Sequence, residues 1–115
     1  MENKALELIV RITAENYDVS VEEMLSKTNT PILVNARTTA MFLCRELTGE
    51  SYQTIGDFFG GRDHSTIFSA HSKSLEKYKS DEDYKAMTDS LVEKIKDSGC
   101  NLRKDGVMFV SVFEA

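Results

Sequence analysis

Cysteine is scarce in this chain of 115 residues, with only Cys44 and Cys100 present. Cys44 shares an apolar stripe with Ala40, Met41, Leu43 and Leu47, where a free thiol packs as a small hydrophobe. Cys100, alone behind Gly99, makes no disulfide framework. Histidine is equally rare. His64 and His71, seven apart, supply no zinc set, and the neighbouring Asp63 and His64 lack the further His and Asp ligands of a metal-dependent phosphohydrolase. No Gly-x-x-x-x-Gly-Lys-Ser/Thr occurs, and Gly60-Gly61-Arg62-Asp63 has no lysine to meet phosphates, so nucleotide binding is excluded. No apolar run approaches the ~20 residues of a membrane span, and none follows Met1 as a leader. A cytoplasmic protein without membrane contact, metal or cofactor is expected. Positive charge is short as well: the net charge is −5.

What is present is a succession of helical patterns without internal repeats or low-complexity segments. With 41% hydrophobic and 29% charged residues, the chain suffices for one domain with an adequate core and leaves no room for a separate catalytic one, so no enzyme is expected. Residues 5–17 carry Leu6, Ile9, Val10 and Ile12 at helical spacing. Ser20 and Glu23 form a capping box opening a short helix to Ser26. A loop holding the single proline, Pro31, runs to Asn35, which caps a helix to Leu47. Ser51 caps the next helix, with Tyr52, Ile55, Phe58 and Phe59 on one face. Beyond residue 80, acids at 81, 82 and 83 and lysines at 94 and 96 match the dipole of a last helix that Gly99 ends.

Between the fourth and fifth patterns stands Gly60-Gly61-Arg62-Asp63-His64-Ser65-Thr66. Gly60 can take the left-handed conformation that closes a helix, and Asp63 caps the helix that follows, whose inner face holds Ile67, Ala70, Ser74 and Leu75. That layout is a helix-turn-helix, whose second helix meets base edges with its N-terminal residues. Asp63 can accept from a cytosine amino group, His64 can meet guanine or thymine acceptors, and Ser65 and Thr66 can bond bases or phosphates. The same residues also suit a plain helix junction with a cap and a solvated imidazole.

The run NARTTAMFLCRELTGESYQTIGDFFGGRDHSTIFSAHSK from Asn35 resembles the C-terminal duplex-binding domain of the bacterial replication initiator DnaA, and the resemblance covers residues 5–96. Its most specific parts are the Ala-Arg pair at 36 and 37, Cys-Arg-Glu-Leu-Thr at 44–48, Ile55-Gly56 and the FGGRDHST segment. The resemblance implies an all-α, Trp-repressor-like bundle that reads short asymmetric boxes in double-stranded DNA. Base contacts by Asp63, His64 and Ser65, with Thr66 beside them, follow from it. So do phosphate contacts by Arg45, Lys73 and the backbone around Tyr52 and Gln53, with Lys27, Arg37 and Arg62 as further backbone-contact candidates. The implied role is replication initiation or its regulation, in a bacterium or a phage, at the nucleoid. An initiating Met1 and an ending past the family boundary point to a stand-alone chain.

Two departures set a second reading beside the first. Where the family has a basic loop whose arginine enters the minor groove, this chain reads Thr28-Asn29-Thr30-Pro31-Ile32-Leu33-Val34-Asn35, so Asn29 stands in the arginine's place; His71 and Ser72 likewise stand where basic residues are usual. Residues 37–79 hold six basic against five acidic side chains, whereas both flanks are acidic. Weaker binding than in the family follows, since phosphate and minor-groove cations carry the salt-dependent affinity. The alternative is an interaction or adaptor protein that keeps the fold and has lost strong DNA binding. Finally, the chain divides into a DNA-binding domain, residues 1–98, and an extension, residues 99–115. In the extension, Asp105-Gly106 between apolar arms predicts a small β-hairpin. An isolated hairpin is marginal in water, so residues 100–113 are expected to pack on their own bundle, to pair with a second copy, or to dock on another partner.

Overall fold

A computed structural model of the chain describes residues 3–98 and 112–114. Among them are six α-helices and one 3-10 turn and no strand: α1 Lys4–Tyr17, α2 Val21–Leu25, α3 Pro31–Thr48, α4 Tyr52–Phe58, α5 His64–Ser80, α6 Glu82–Asp97, and the turn Val112–Glu114. The all-helical class expected from the sequence holds. None of the described helices is long and apolar enough to cross a membrane.

Capping explains where the helices begin. The Asn3 side chain accepts from Leu6 N to open α1, and Ser20 and Glu23 close the capping box of α2 from both sides. α3 starts earlier than the sequence reading placed it. Thr30 is its N-cap and accepts from Leu33 N at 3.4 Å, and Pro31 occupies the first turn, where a missing N–H costs nothing; Asn35 lies inside the helix. The loop ahead of α3 is shortened accordingly, and Asn29 sits at its very end. Asp81 both terminates α5 and caps α6, its carboxylate accepting from Asp83 N and Tyr84 N, so the two helices join through one residue.

α3 is the spine, packed against α1 on one side and α5 on the other, with α4 against α5 and α6 closing the far end onto α1 and α5. Leu6, Ile9, Met24, Leu33, Phe42, Leu43, Ile55, Phe59, Ile67, Leu91 and Ile95 are fully buried between them. Each large apolar side chain so removed from water contributes roughly 1.5–3 kcal/mol. Cys44 is buried among them, and burial pushes its thiol far above the usual range, so it is inert packing. A polar chain crosses this core: Tyr17 Oη lies 3.0 Å from Thr39 Oγ1, which lies 2.8 Å from Tyr84 Oη, and Tyr84 donates to Ser74 Oγ at 3.1 Å. Ser74 in turn donates to the Thr38 carbonyl at 3.3 Å. The back of α5 is thereby tied to α1, α3 and α6 by hydrogen bonds that fix one orientation, which packing alone does not.

Candidate nucleic-acid interface

α4, the turn after it and α5 form the helix-turn-helix. Gly60 and Gly61 both have positive φ, 83° and 82°, a conformation that costs a side-chain-bearing residue about 1–2 kcal/mol. The reversal lets Gly61 N and Arg62 N donate to the Gly56 carbonyl at 3.1 and 2.9 Å. Gly56 is where the turn folds back most tightly. A Cβ on it would stand 2.1 Å from the Arg62 carbonyl oxygen. The Ile55-Gly56 pair is therefore a steric requirement of the turn.

Residues 63–66 all point into solvent. Asp63 caps α5, one carboxylate oxygen accepting from both the backbone N and the hydroxyl of Ser65. The Ser65 hydroxyl is the main reason that the Asp63 carboxyl is held below its ordinary range, with His64 adding to it. His64 Nδ1 lies 3.4 Å from the other oxygen, and its side chain is 70% exposed. The capping role and the outward presentation coexist, because capping uses only part of the carboxylate's acceptor capacity.

Two expected phosphate ligands, Arg37 and Arg62, are engaged by protein carbonyls, as Arg45 also is. Arg37 is buried: its Nε donates to the Met24 carbonyl at 2.7 Å, one Nη to the carbonyls of Glu23 and Thr28 at 3.1 and 2.7 Å, and the other Nη to Asn29 Oδ1 at 3.1 Å. A guanidinium with five donors satisfies several carbonyls around the end of α2 at once, and the Glu23 carbonyl also accepts from the backbone N and hydroxyl of Ser26. Arg62, half-buried, bonds the carbonyls of Phe59 and, at 2.7 Å, Ser26. Burial, and for Arg37 also the neighbouring Arg62, holds both guanidinium pKa values below the ordinary one. These arginines lock the α2–α3 loop against the turn.

On one flank of α5, Arg45 donates to the carbonyls of Gly49 and Glu50 at 3.3 and 2.8 Å and lies 4.7 Å over the ring of Tyr52. Tyr52 packs edge-on against Phe68, which is 55% exposed. The other flank is a groove of about 340 Å³ lined by Asn29, Thr38, Arg62, Thr66, Ser69 and Lys73, with Arg37 in its wall. Thus Thr66, Arg62 and Lys73 come together on one side, and Arg45 and Tyr52 on the other, with the exposed turn of α5 between. Gln53 and Lys27 are exposed, and neither lines the groove.

The family model described as the bacterial dnaA protein helix-turn-helix matches residues 6–73, well over half of the chain. This chain belongs to that family. Among curated proteins it is 37% identical over 90 residues to the chromosomal replication initiator protein DnaA of Citrifermentans bemidjiense and equally to that of Geobacter sp. strain M21, 78% of this chain against 20% of either relative. It is 43% identical over 68 residues to the DnaA of Dechloromonas aromatica, 59% of this chain and 15% of that one. The chain spans about a fifth of the length of the first two relatives.

Within this DnaA helix-turn-helix, sequence reasoning missed Phe68, Ser69 and Thr38. Phe68 follows His64 by four residues and so shares its stripe, a signal available from the inward assignment of Ile67 and Ala70. Thr38 carried no such signal, since its place in the groove depends on how α3 crosses α5.

Proposed function

We propose that this DnaA-family domain binds double-stranded DNA sequence-specifically, at boxes of the kind its family reads, in bacterial or phage replication initiation or its control. The observation that supports this most is the outward turn of α5: four polar side chains, residues 63–66, stand exposed on a helix whose back is tied into the core. A helix so placed matches the dimensions of a major groove, and Asp, His, Ser and Thr together cover donor and acceptor patterns of base edges. Arg45 and Lys73 flank it as backbone contacts, with the chain around Tyr52 and Gln53. The domain reads and performs no chemistry, and it works in the cytoplasm at the nucleoid. Selection of bound sequences from a random duplex pool tests this. Enrichment of one short box supports the reading, and a pool that stays random under low salt sinks it.

The second reading, an adaptor that keeps the fold without strong DNA binding, is favoured by one observation: Arg37 is spent on backbone carbonyls, which leaves the loop side of the groove with little free positive charge. An Asn29→Arg variant tests whether the missing loop cation limits the affinity. Its expected effect is tighter binding, most on boxes with an A·T-rich flank where the minor groove is narrow and its potential most negative. Losing the Asn29 acceptor of Arg37 costs about 1 kcal/mol of stability at the same time. Titrations on paired boxes and a thermal melt measure both, and weaker binding would show that the loop follows another path.

Arg45→Ala is expected to weaken binding to all duplexes alike. A phosphate contact carries no sequence information, and its loss lowers the slope of log affinity against log salt by about 1. Equal slopes for the two proteins would remove Arg45 from the interface.

A further inference from the structure

The turn Val112–Glu114 lies beyond the region that the family model covers, yet it is seated on α3 and the C-terminal part of α5, beside a cavity that α6 also lines. Val112 and Phe113 were expected in a strand. They form one helical turn instead, because two separate anchors fix them. Val112 N donates to Glu46 Oε1 at 2.8 Å, and the Phe113 ring packs edge-on against Phe42 and Tyr78, with centroids at 5.8 and 5.1 Å. The arms of the expected hairpin up to residue 111 lie outside the described residues.

Glu46 is buried on α3, and its other oxygen lies 2.7 Å from His71 Nε2 on α5. One carboxylate therefore joins the C-terminal turn to the recognition helix. The rings make a second connection. Phe113 touches Phe42, whose centroid is 5.4 Å from His71; His71 is 6.0 Å from Tyr52, and Tyr52 is 5.6 Å from Phe68. This relay runs unbroken from the C-terminal turn to the exposed face of α4 and α5. His71 stands seven residues, nearly two full helical turns, behind His64, so it lies under almost the same stripe that carries His64 outward.

We propose that Val112–Glu114 is a clamp: docked on Phe42, Tyr78 and Glu46, it fixes the pose of the recognition helix through the Glu46–His71 pair and the ring relay, and so sets how well residues 63–66 meet DNA. Loss of Phe113 uncovers Phe42 and Tyr78, and a close-packed interior passes a shift of Phe42 on to His71, whose ring it touches. Docked and undocked turn are the two states that both sites bias. Val112, Phe113, Glu46 and His71 are positioning residues, and none of them touches DNA.

The effect on DNA rests on the duplex-binding reading; the effect on the helix does not, so the test has two arms. The proteins are the full chain, the chain stopped after residue 111, Phe113→Ala, Phe113→Leu, and Ile9→Val as a buried change on α1 remote from the clamp. Without DNA, amide hydrogen exchange at residues 67–71 is expected to quicken in the stopped chain and in Phe113→Ala, to stay close to the full chain in Phe113→Leu, and to be unaltered in Ile9→Val. With a selected duplex, the first two are expected to bind about tenfold more weakly. Unchanged exchange at residues 67–71 in the stopped chain overturns the clamp, as does an equal loss in Ile9→Val at the same melting midpoint. A full chain that binds no duplex removes the duplex reading, and the exchange arm still decides the clamp.

Discussion

Gly56→Ala is expected to cost about 3 kcal/mol or more of folding free energy and to abolish duplex binding with it. In an unconstrained helix the same change stabilises by about 1 kcal/mol, so the sign alone is diagnostic. Here the added methyl would stand 2.1 Å from the Arg62 carbonyl oxygen, which is backbone and has no rotamer to retreat into. Nor can the turn back away freely, because Gly56 itself accepts from Gly61 N and Arg62 N. Relief of the clash requires at least one of those bonds to break, an overpacking cost of about 1–3 kcal/mol plus about 1 kcal/mol for each lost bond. Gly61→Ala makes the contrast: nothing lies within 4 Å of its added Cβ, so it is expected to pay only the ~1–2 kcal/mol of a left-handed residue. Urea denaturation of the three proteins measures both. A Gly56→Ala chain as stable as the parent would mean that the turn is not closed as described.

The helices themselves were legible because their signals are local. The apolar spacing of Leu6, Ile9 and Val10, the Ser20 and Glu23 box, the Ser51 cap and the Asp63 cap each act within one or two turns, and each appears where the spacing predicts. The start of α3 was misread for the opposite reason. Pro31 looked like part of a loop, whereas behind a Thr30 cap it is a good first residue of a helix, and the two readings differ only by the cap's geometry.

The site was legible in part. That residues 63–66 face solvent follows from the caps and the inward stripe of Ile67 and Ala70. The fate of the arginines does not. Arg37 and Arg62 are charged residues near a presumed DNA face, and the sequence offers no sign that the carbonyls of Glu23, Met24, Ser26 and Thr28 converge on them. That convergence depends on α2 ending beside both the start of α3 and the turn after α4, a tertiary relation. The same holds for Glu46, a mid-helix acid by sequence and a buried junction between His71 and Val112 in the fold.

His64→Ala is expected to remove most discrimination between the preferred box and unrelated duplex, a loss of about 1–3 kcal/mol at the positions His64 reads. The change should leave the fold alone. The His64 side chain is 70% exposed and, among the described residues, pairs with Asp63 at 3.4 Å, so the melting midpoint is expected to stay within a degree or two of the parent. Asp63 needs a different substitution, because it also caps α5: Asp63→Ala forfeits about 1 kcal/mol of helix stability and confuses the two effects. Asp63→Asn keeps an acceptor for Ser65 N while exchanging half of an acceptor-only group for a donor, so a cytosine amino group meets a changed partner and the helix keeps its cap. In competition titrations at fixed salt, both variants are expected to bind random duplex as the parent does and to lose preference for the selected box. Salt slopes are expected to match as well, since neither change alters the phosphate contacts. Full selectivity in both variants would move base reading away from residues 63–66, and the outward turn of α5 would then be a cap and nothing more.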